Sequence, residues 1–337
     1  MSKNILISDP TLRDGSHAIK HKLSLKQIES YCLLAEEAGI PIVEVGHGNG
    51  LGASSLQLGL SSFTDAEMLA TARKNLKKSM LGIHIIPGFA TIKKDLEPAI
   101  DLGIDVVRVA CHCTEADLTE NHITYARKKG MIVWGCLMMS HMLGEKLLIE
   151  QVVKMREYGV EGVVIMDSSG TYLPEDVFNR ISALVDGANI DIGFHAHNNL
   201  GMGIANSIAA IEAGATLIDA SSRGFGAGAG NAQLEVLIAV LKKLKINTDI
   251  DLYKVLDLGD LAEEILIEEL PRIKSTSIVS GLAGVFSGFA NPVNRIAIDV
   301  GVDPRDIFME LGKRKIIAGQ EDIILEVAME IKANESN

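Results

Sequence analysis

Along the first two-thirds of the chain, short β-branched runs alternate with longer amphipathic stretches. The short runs are ILIS (5–8), IVEVG (42–46), MLGIHII (80–86), VVRVA (106–110), MIVWGCLM (131–138), GVVIMD (162–167), IDIGFHAH (190–197) and TLIDAS (216–221). Each has the length of a strand. LSLKQIESYCLLAEEAG (23–39), EKLLIEQVVKMREYG (145–159) and AQLEVLIAVLKKL (232–244) instead repeat their apolar positions at helical spacing. Successive runs start roughly 25–40 residues apart, which is a strand plus its crossover helix. Gly39, Gly103, Gly130, Gly159 and Gly214 close the helical stretches, as a left-handed C′ residue does.

Alternating strand and helix imply a parallel sheet with right-handed crossovers. Eight such units within residues 1–246 predict a closed (β/α)8 TIM barrel rather than an open doubly wound sheet. No G-x-G-x-x-G follows the first run, which weakens the dinucleotide-binding alternative. Beyond residue 246 the pattern changes. Segments 251–269 and 303–332 read as helices joined by the interrupted stretch SGLAGVFSGFANPVN (280–294). Residues 247–337 are therefore expected to form a C-terminal helical extension. In a barrel, chemistry collects at the C-terminal ends of the strands, so motifs far apart in sequence are expected to meet there.

Composition narrows the setting. With 44 acidic and 32 basic side chains the formal net charge is −12, which argues against a nucleic-acid surface built on clustered cations. No apolar run approaches the roughly 20 residues that span a bilayer, and MSKNILISD reaches a carboxylate too early for a signal-peptide core. Cys32, Cys111, Cys113 and Cys136 are too few and too scattered for a disulfide framework. A cytoplasmic location is expected.

Two clusters carry candidate chemistry. DPTLRDGSHAIKH (9–21) follows the first strand and holds Arg13, Asp14 and His17: a fixed cation, a hard oxygen ligand and a group titrating near neutrality. Taken alone, Asp14 suits a helix cap or turn as well as a metal. GFHAHNN (193–199) ends the seventh strand, where His195 and His197, two residues apart, face the same way. A lone H-x-H pair can be incidental. Together with Asp14 it makes a three-ligand set with open positions, the layout of a catalytic metal. Mixed nitrogen and oxygen ligands suit Mn²⁺, Mg²⁺, Co²⁺, Fe²⁺ or Zn²⁺.

TLRDGSH, HAHNN, RVACHCTEAD (108–117), LMMSHM (137–142), RGFGAGAGNAQLEV (223–236) and KRKIIAGQED (313–322) together resemble the 4-hydroxy-2-oxovalerate aldolase family. That family belongs to the pyruvate-enolate barrel group of isopropylmalate synthases and hydroxymethylglutaryl-CoA lyase. The resemblance runs over nearly the whole chain. It implies that Asp14, His195 and His197 bind a divalent metal, Mn²⁺ before Mg²⁺, Co²⁺ or Zn²⁺. It further implies that Arg13 holds the keto and enolate oxygens, that His17 is the base, and that Ser168 in MDSSG lies near the pyruvate carboxylate. The implied reaction is retro-aldol cleavage of a 4-hydroxy-2-oxoacid to pyruvate and acetaldehyde or another short aldehyde, in aromatic hydrocarbon catabolism. Such proteins pair through their helical tail with an acylating aldehyde dehydrogenase, so a homodimer or hetero-oligomer is expected.

The chain departs from the family at Phe286, where GVFSGF stands for a tyrosine-containing G-V-Y-S-S-F. A hydroxyl near the aldehyde is thereby lost, which bears on stereocontrol and aldehyde preference. Ala318-Gly319 replaces a glycine pair that lines the family's aldehyde exit. Other features have blander readings. Cys111-His112-Cys113 lacks a second ligand pair for zinc and reads as a buried pair inside the barrel, with His112 lining the site. GFGAGAGN (224–231) is a tight loop or an anion cradle. Asn231 is placed to approach the metal, and His84 and His141 read as site-adjacent or packing residues. A Claisen-type acyl-CoA synthase or lyase and a non-catalytic partner subunit are the alternatives.

Overall fold

The computed structural model describes residues 5–317 and 319–335. Eight parallel strands close into a barrel in sequence order. They are β1 (Leu6–Leu12), β2 (Ile42–Val45), β3 (Met80–Ile85), β4 (Val106–His112), β5 (Ile132–Met138), β6 (Gly162–Asp167), β7 (Asp191–Ala196) and β8 (Leu217–Asp219). The surrounding helices are α1 (Leu25–Ala38), α2 (Asp65–Asn75), α3 (Glu97–Asp101), α4 (Glu120–Lys128), α5 (Glu145–Tyr158), α6 (Pro174–Ala188), α7 (Gly203–Glu212) and α8 (Leu234–Lys243). Ser24 and Thr64 start α1 and α2 with capping boxes, each satisfying two otherwise unpaired backbone N–H groups.

Strand alternation sorts side chains between two cores. Ile42, Val106, Ala110, Trp134, Cys136, Val164, Met166 and Leu217 fill the barrel interior. Gly162 leaves room there for the Trp134 ring, which a β-carbon would overlap. Residues of opposite parity, such as Val107, Val109 and Ile165, pack against the helices. This corrects the expectation for the C-x-C pair. Arg108 and Ala110 face inward, so Cys111 and Cys113 face outward and are buried in the layer between barrel and helices. All four cysteines are buried and free.

β1 runs four residues past the predicted ILIS, through Pro10, with a register shift against β2 between Asp9 and Leu12. A bulge tolerates a residue that cannot donate to the ladder. Arg13 and Asp14 consequently sit at the mouth of the barrel rather than in a loop beyond it. Helix α9 (Leu252–Ile265) packs on α1, and its Val255, Leu258 and Ala262, with Leu266 and Ile267, belong to the barrel's core. The stretch from Leu252 to Ile267, expected in the extension, is thus part of the barrel's outer layer.

The remaining helices are α10 (Ser275–Ala283), α11 (Ala290–Val300), α12 (Pro304–Arg314) and α13 (Asp322–Glu335). They enclose a second core of Val285, Phe289, Val293, Ala297, Ile307, Phe308, Leu311, Ile324 and Val327. The interrupted 280–294 stretch thus lies mostly within α10 and α11. Hydrogen bonds fasten this module to the barrel rim: the Ser287 N–H donates to the Ser168 carbonyl (3.1 Å), and its hydroxyl to Asn199 Oδ1 (3.0 Å). His141 also bonds the Gly284 carbonyl at 3.0 Å. Ala318, part of the expected exit, lies outside the described residues. Among the described residues no helix is long and apolar enough to cross a membrane.

Candidate metal centre and active site

Asp14 opens a single 3-10 turn, Asp14–His17, directly after β1, while His195 and His197 stand at the end of β7. One ligand atom from each lies within 4.8 Å of those of the other two, and all three residues are buried. Asp219 on β8 accepts from His195 Nδ1 at 2.9 Å, leaving Nε2 buried without a partner. His197 Nδ1 and Asn231 Oδ1 are likewise buried and unpartnered among the described residues. Unpaired nitrogens cost free energy unless something binds them. A carboxylate orienting the far nitrogen of a histidine is the usual support of a metal ligand. The residues therefore fit a divalent cation.

The electrostatics agree. Burial would raise the Asp14 carboxyl, but Arg13 and the neighbouring histidines hold it well below the usual carboxylate range. Burial pushes His197 down to about 4, with Asp14 only partly opposing it. At neutral pH the set offers one anionic oxygen and a neutral imidazole lone pair, as metal ligation requires.

Arg13 is shared three ways. Its Nε donates to Glu44 Oε2 (2.9 Å) and its Nη1 to Asp14 Oδ1 (2.9 Å) and the Gly48 carbonyl (3.5 Å), while the buried Nη2 has no partner among the described residues. His17 lies three residues past Asp14 with its ring packed against Gly48, and burial lowers its pKa below the ordinary histidine value. Ser168 follows β6, and its hydroxyl accepts from the Met139 N–H at 3.0 Å. Phe286 is not grouped with these residues. Its half-buried ring packs edge-on against Phe289 in the second core, with centroids 5.8 Å apart. It approaches the rim through its neighbour Ser287.

Sequence reasoning missed the layer beneath. Fully buried Arg108 pairs with Glu44, and with Asp219 at 2.7 and 3.0 Å. Glu44, Arg108 and Asp219 each interrupt an apolar run, IVEVG, VVRVA and TLIDAS, at an inward-facing position. That was the available signal. The glycine-rich loop is the tight positive-φ loop expected, and it does more than turn. Gly224, Gly228 and Gly230 take positive φ, and Gly226 lets the loop pass over Asp14. A β-carbon there would come within 2.7 Å of Asp14 Oδ2 and closer still to Asn231 Nδ2, which donates to that oxygen at 2.7 Å. Gly226→Ala should therefore weaken Mn²⁺ binding by about 10–100-fold, the scale seen when a ligand's support is disturbed. Calorimetric titration of the metal-free protein measures this, and an unchanged Kd would count against the ligand assignment.

Beside the metal set, His21 stacks on His47 with centroids 3.6 Å apart and meets His17 edge-on at 5.0 Å. Burial depresses His21 to about 3 and His47 to about 4, from the ordinary 6.5. The unfolded chain thus takes up protons below pH 6.5 that the folded chain refuses, so stability falls with pH in that range. Above pH 7 the two contribute no slope. Tm is expected to drop steadily from pH 6.5 to 5, and less steeply in His47→Gln; identical slopes in a calorimetric pH series would contradict this.

Comparison with known proteins agrees with this architecture. Residues 4–262 match the HMGL-like family model, and residues 271–333 match the DmpG-like communication domain. A protein from Spirochaeta aurantia is 65% identical over 329 residues, covering 98% of this chain and 96% of its own. One from Pectobacterium atrosepticum is 56% identical, covering 100% and 98%. Both are named 4-hydroxy-2-oxovalerate aldolase. The carboxyl transferase domain of Rhizobium etli pyruvate carboxylase shares the fold, with a TM-score of 0.83 at 15% identity, covering 99% of this chain and 61% of that one. The chain belongs to the 4-hydroxy-2-oxovalerate aldolase family, with an HMGL-like barrel followed by a DmpG-like communication domain.

Proposed function

We propose that this chain is a metal-dependent lyase cleaving 4-hydroxy-2-oxovalerate, or a close 4-hydroxy-2-oxoacid, to pyruvate and acetaldehyde. The observation that carries the reading is the convergence of Asp14, His195 and His197 within 4.8 Å, beside the free Nη2 of Arg13. A divalent metal, Mn²⁺ before Mg²⁺, Co²⁺ or Zn²⁺, would be held by those three residues and act as a Lewis acid toward the keto oxygen.

The chain's own residues do the rest. Burial holds the His17 pKa below the ordinary histidine value, so at neutral pH the ring keeps a nitrogen lone pair. That nitrogen accepts the C4 hydroxyl proton as the C3–C4 bond breaks. The bonding electrons move to the pyruvyl fragment, whose oxygen becomes anionic. Arg13 Nη2 donates to that oxygen, and its bonds to Glu44 and Asp14 fix it beforehand. Ser168 accepts from Met139 and still has its own proton to donate to the substrate carboxylate. Phe286, packed against Phe289 in the second core, offers no hydroxyl to the aldehyde end, which leaves stereocontrol at C4 to shape.

The C-terminal helices are proposed to dock an acylating aldehyde dehydrogenase that consumes the aldehyde. Leu282, Ile298 and Met329 expose 68%, 81% and 56% of their surface on that module, apolar area that a partner would cover. Residues 271–333 match a communication domain, which favours this role for the tail over the regulatory domain of a Claisen-type synthase.

The decisive experiment incubates the Mn²⁺-loaded protein with 4-hydroxy-2-oxovalerate and couples pyruvate to lactate dehydrogenase, repeated with longer aldehyde adducts. Pyruvate release that disappears on chelation is expected. Its absence, with turnover of an acyl-CoA thioester, would replace this reading by the Claisen-type one. Normal metal binding with no turnover of any adduct would leave a non-catalytic subunit.

A further inference from the structure

Two histidines beside the metal set have no part in the chemistry above, yet their protonation is dictated by their neighbours. The Gly48 N–H donates to His21 Nδ1 at 3.3 Å, and Ser16 Oγ lies 3.0 Å from the same nitrogen. A backbone N–H can only donate, so Nδ1 carries the lone pair, and the ring proton is on Nε2. His47 obeys the same logic: the Asn49 N–H donates to Nδ1 at 3.1 Å, and Nε2 lies 3.1 Å from the Gly59 carbonyl. Both rings are neutral, of one tautomer, and stacked.

The Gly48 peptide is therefore held from both sides. His21 accepts from its N–H at 3.3 Å, Arg13 Nη1 donates to its carbonyl at 3.5 Å, and the His17 ring packs against it. The contact is close: a β-carbon on Gly48 would lie 2.5 Å from the His17 ring. The backbone bends to permit this. Lys20 and His21 take φ of 52° and 62° in succession, and the His21 N–H returns to the Ser16 carbonyl at 2.7 Å. Left-handed backbone in residues with a β-carbon is costly, and it delivers an imidazole, where glycine would fit more easily.

We propose that His21 is a positioning residue for the base: by accepting the Gly48 N–H it fixes the peptide against which the His17 ring packs. The inference rests on the reading of His17 as the base. His47, stacked behind, keeps the His21 ring in plane. A positioning residue acts on kcat through His17, and leaves the metal and the ground-state substrate contacts alone.

The side-chain chemistry supplies a discriminating set of variants. Asn carries an oxygen on Cγ, where histidine carries Nδ1, and tolerates left-handed φ; Gln and Leu offer no acceptor at that position. In the Mg²⁺-loaded full chain, His21→Leu and His21→Gln are expected to lower kcat about 10–100-fold, with KM and metal Kd within about threefold of wild type. His21→Asn is expected to recover most of that loss. On a His17→Gln background, His21→Leu should add little further loss. A His21→Leu enzyme with normal kcat, an Asn variant no better than Leu, or a full additional loss in the double variant would each overturn the proposal.

Nitrogen-15 NMR of the histidine rings separates this outcome from failure of the lyase reading, because it needs no turnover. His21 should show an unprotonated Nδ1 at pH 7. The His17 resonances should move in His21→Leu and stay in place in His21→Asn. The opposite tautomer, or an unmoved His17, would refute the geometry even if pyruvate is released. If wild type releases no pyruvate, or His17→Gln is fully active, the base assignment falls and the inference with it.

Discussion

Arg13→Lys is expected to lower kcat for pyruvate release by about 10²–10³-fold, the usual cost of removing one preorganised donor from a developing anion. The substitution keeps a positive charge, so Asp14 and Glu44 are still opposed by a cation. What disappears is the division of labour within one planar group. The guanidinium gives Nε to Glu44 and Nη1 to Asp14, each at 2.9 Å, and still has Nη2 free and buried. An ammonium has a single nitrogen and cannot reach three directions at once. Burial alone would lower the Arg13 pKa, but Glu44 and Asp14 keep it raised, so the free donor is charged at any working pH. The loss should fall on kcat and on kcat/KM equally, the signature of a contact made in the transition state. Metal affinity, read by titration, should change by less than about tenfold, because no ligand is removed. Retention of kcat within a few-fold of wild type would remove Arg13 from the chemistry.

Much of this was legible in the sequence, and the gaps have identifiable causes. The eight strands followed from apolar runs at crossover spacing, and the barrel brings Asp14 to within 4.8 Å of two histidines some 180 residues away. The apolar run ILIS stops at Ser8, whereas β1 continues through Pro10 to Leu12, because a register shift against β2 absorbs the proline. The C-x-C pair was assigned to the wrong face because parity on β4 is set by Arg108, whose inward position only Glu44 and Asp219 reveal. The 280–294 stretch hid the helix ends of α10 and α11, because glycine, serine and proline lower local propensity while burial of Val293 and Ala297 in the second core overrides it in α11. Ser287 reaches Ser168 and Asn199 through contacts between segments distant in sequence, which no local pattern records. Pairing partners inside a barrel are likewise a property of closure, so the ion layer under the site could be suspected from three misplaced charges but not connected.

That layer carries the second large expectation. Arg108→Met should destabilise the protein by about 3–5 kcal/mol, since it leaves two buried carboxylates without their shared cation. Arg108 is fully buried and contacts both Glu44 and Asp219. Burial would raise the Glu44 carboxyl, but Arg108 first and Arg13 second hold it well below the usual range. With Arg108 gone, Glu44 retains Arg13 and the Ser8 hydroxyl, and Asp219 retains His195. The damage should therefore spread upward. Asp219 orients His195 by accepting from Nδ1, and Arg108 is the bidentate donor that fixes that carboxylate in place. Calorimetry should show Tm lower by roughly 5–10 °C, with weaker Mn²⁺ binding in parallel. Neutralising the stranded groups in Arg108→Met/Glu44→Gln/Asp219→Asn should restore much of the Tm, because a satisfied apolar or neutral interior can match a buried ion pair. It should not restore metal affinity, because an amide cannot hold the His195 proton as a carboxylate does. If stability and metal binding recover together, the network serves only to fill the barrel; if they separate, Asp219 links the charged interior to the metal ligands at its mouth.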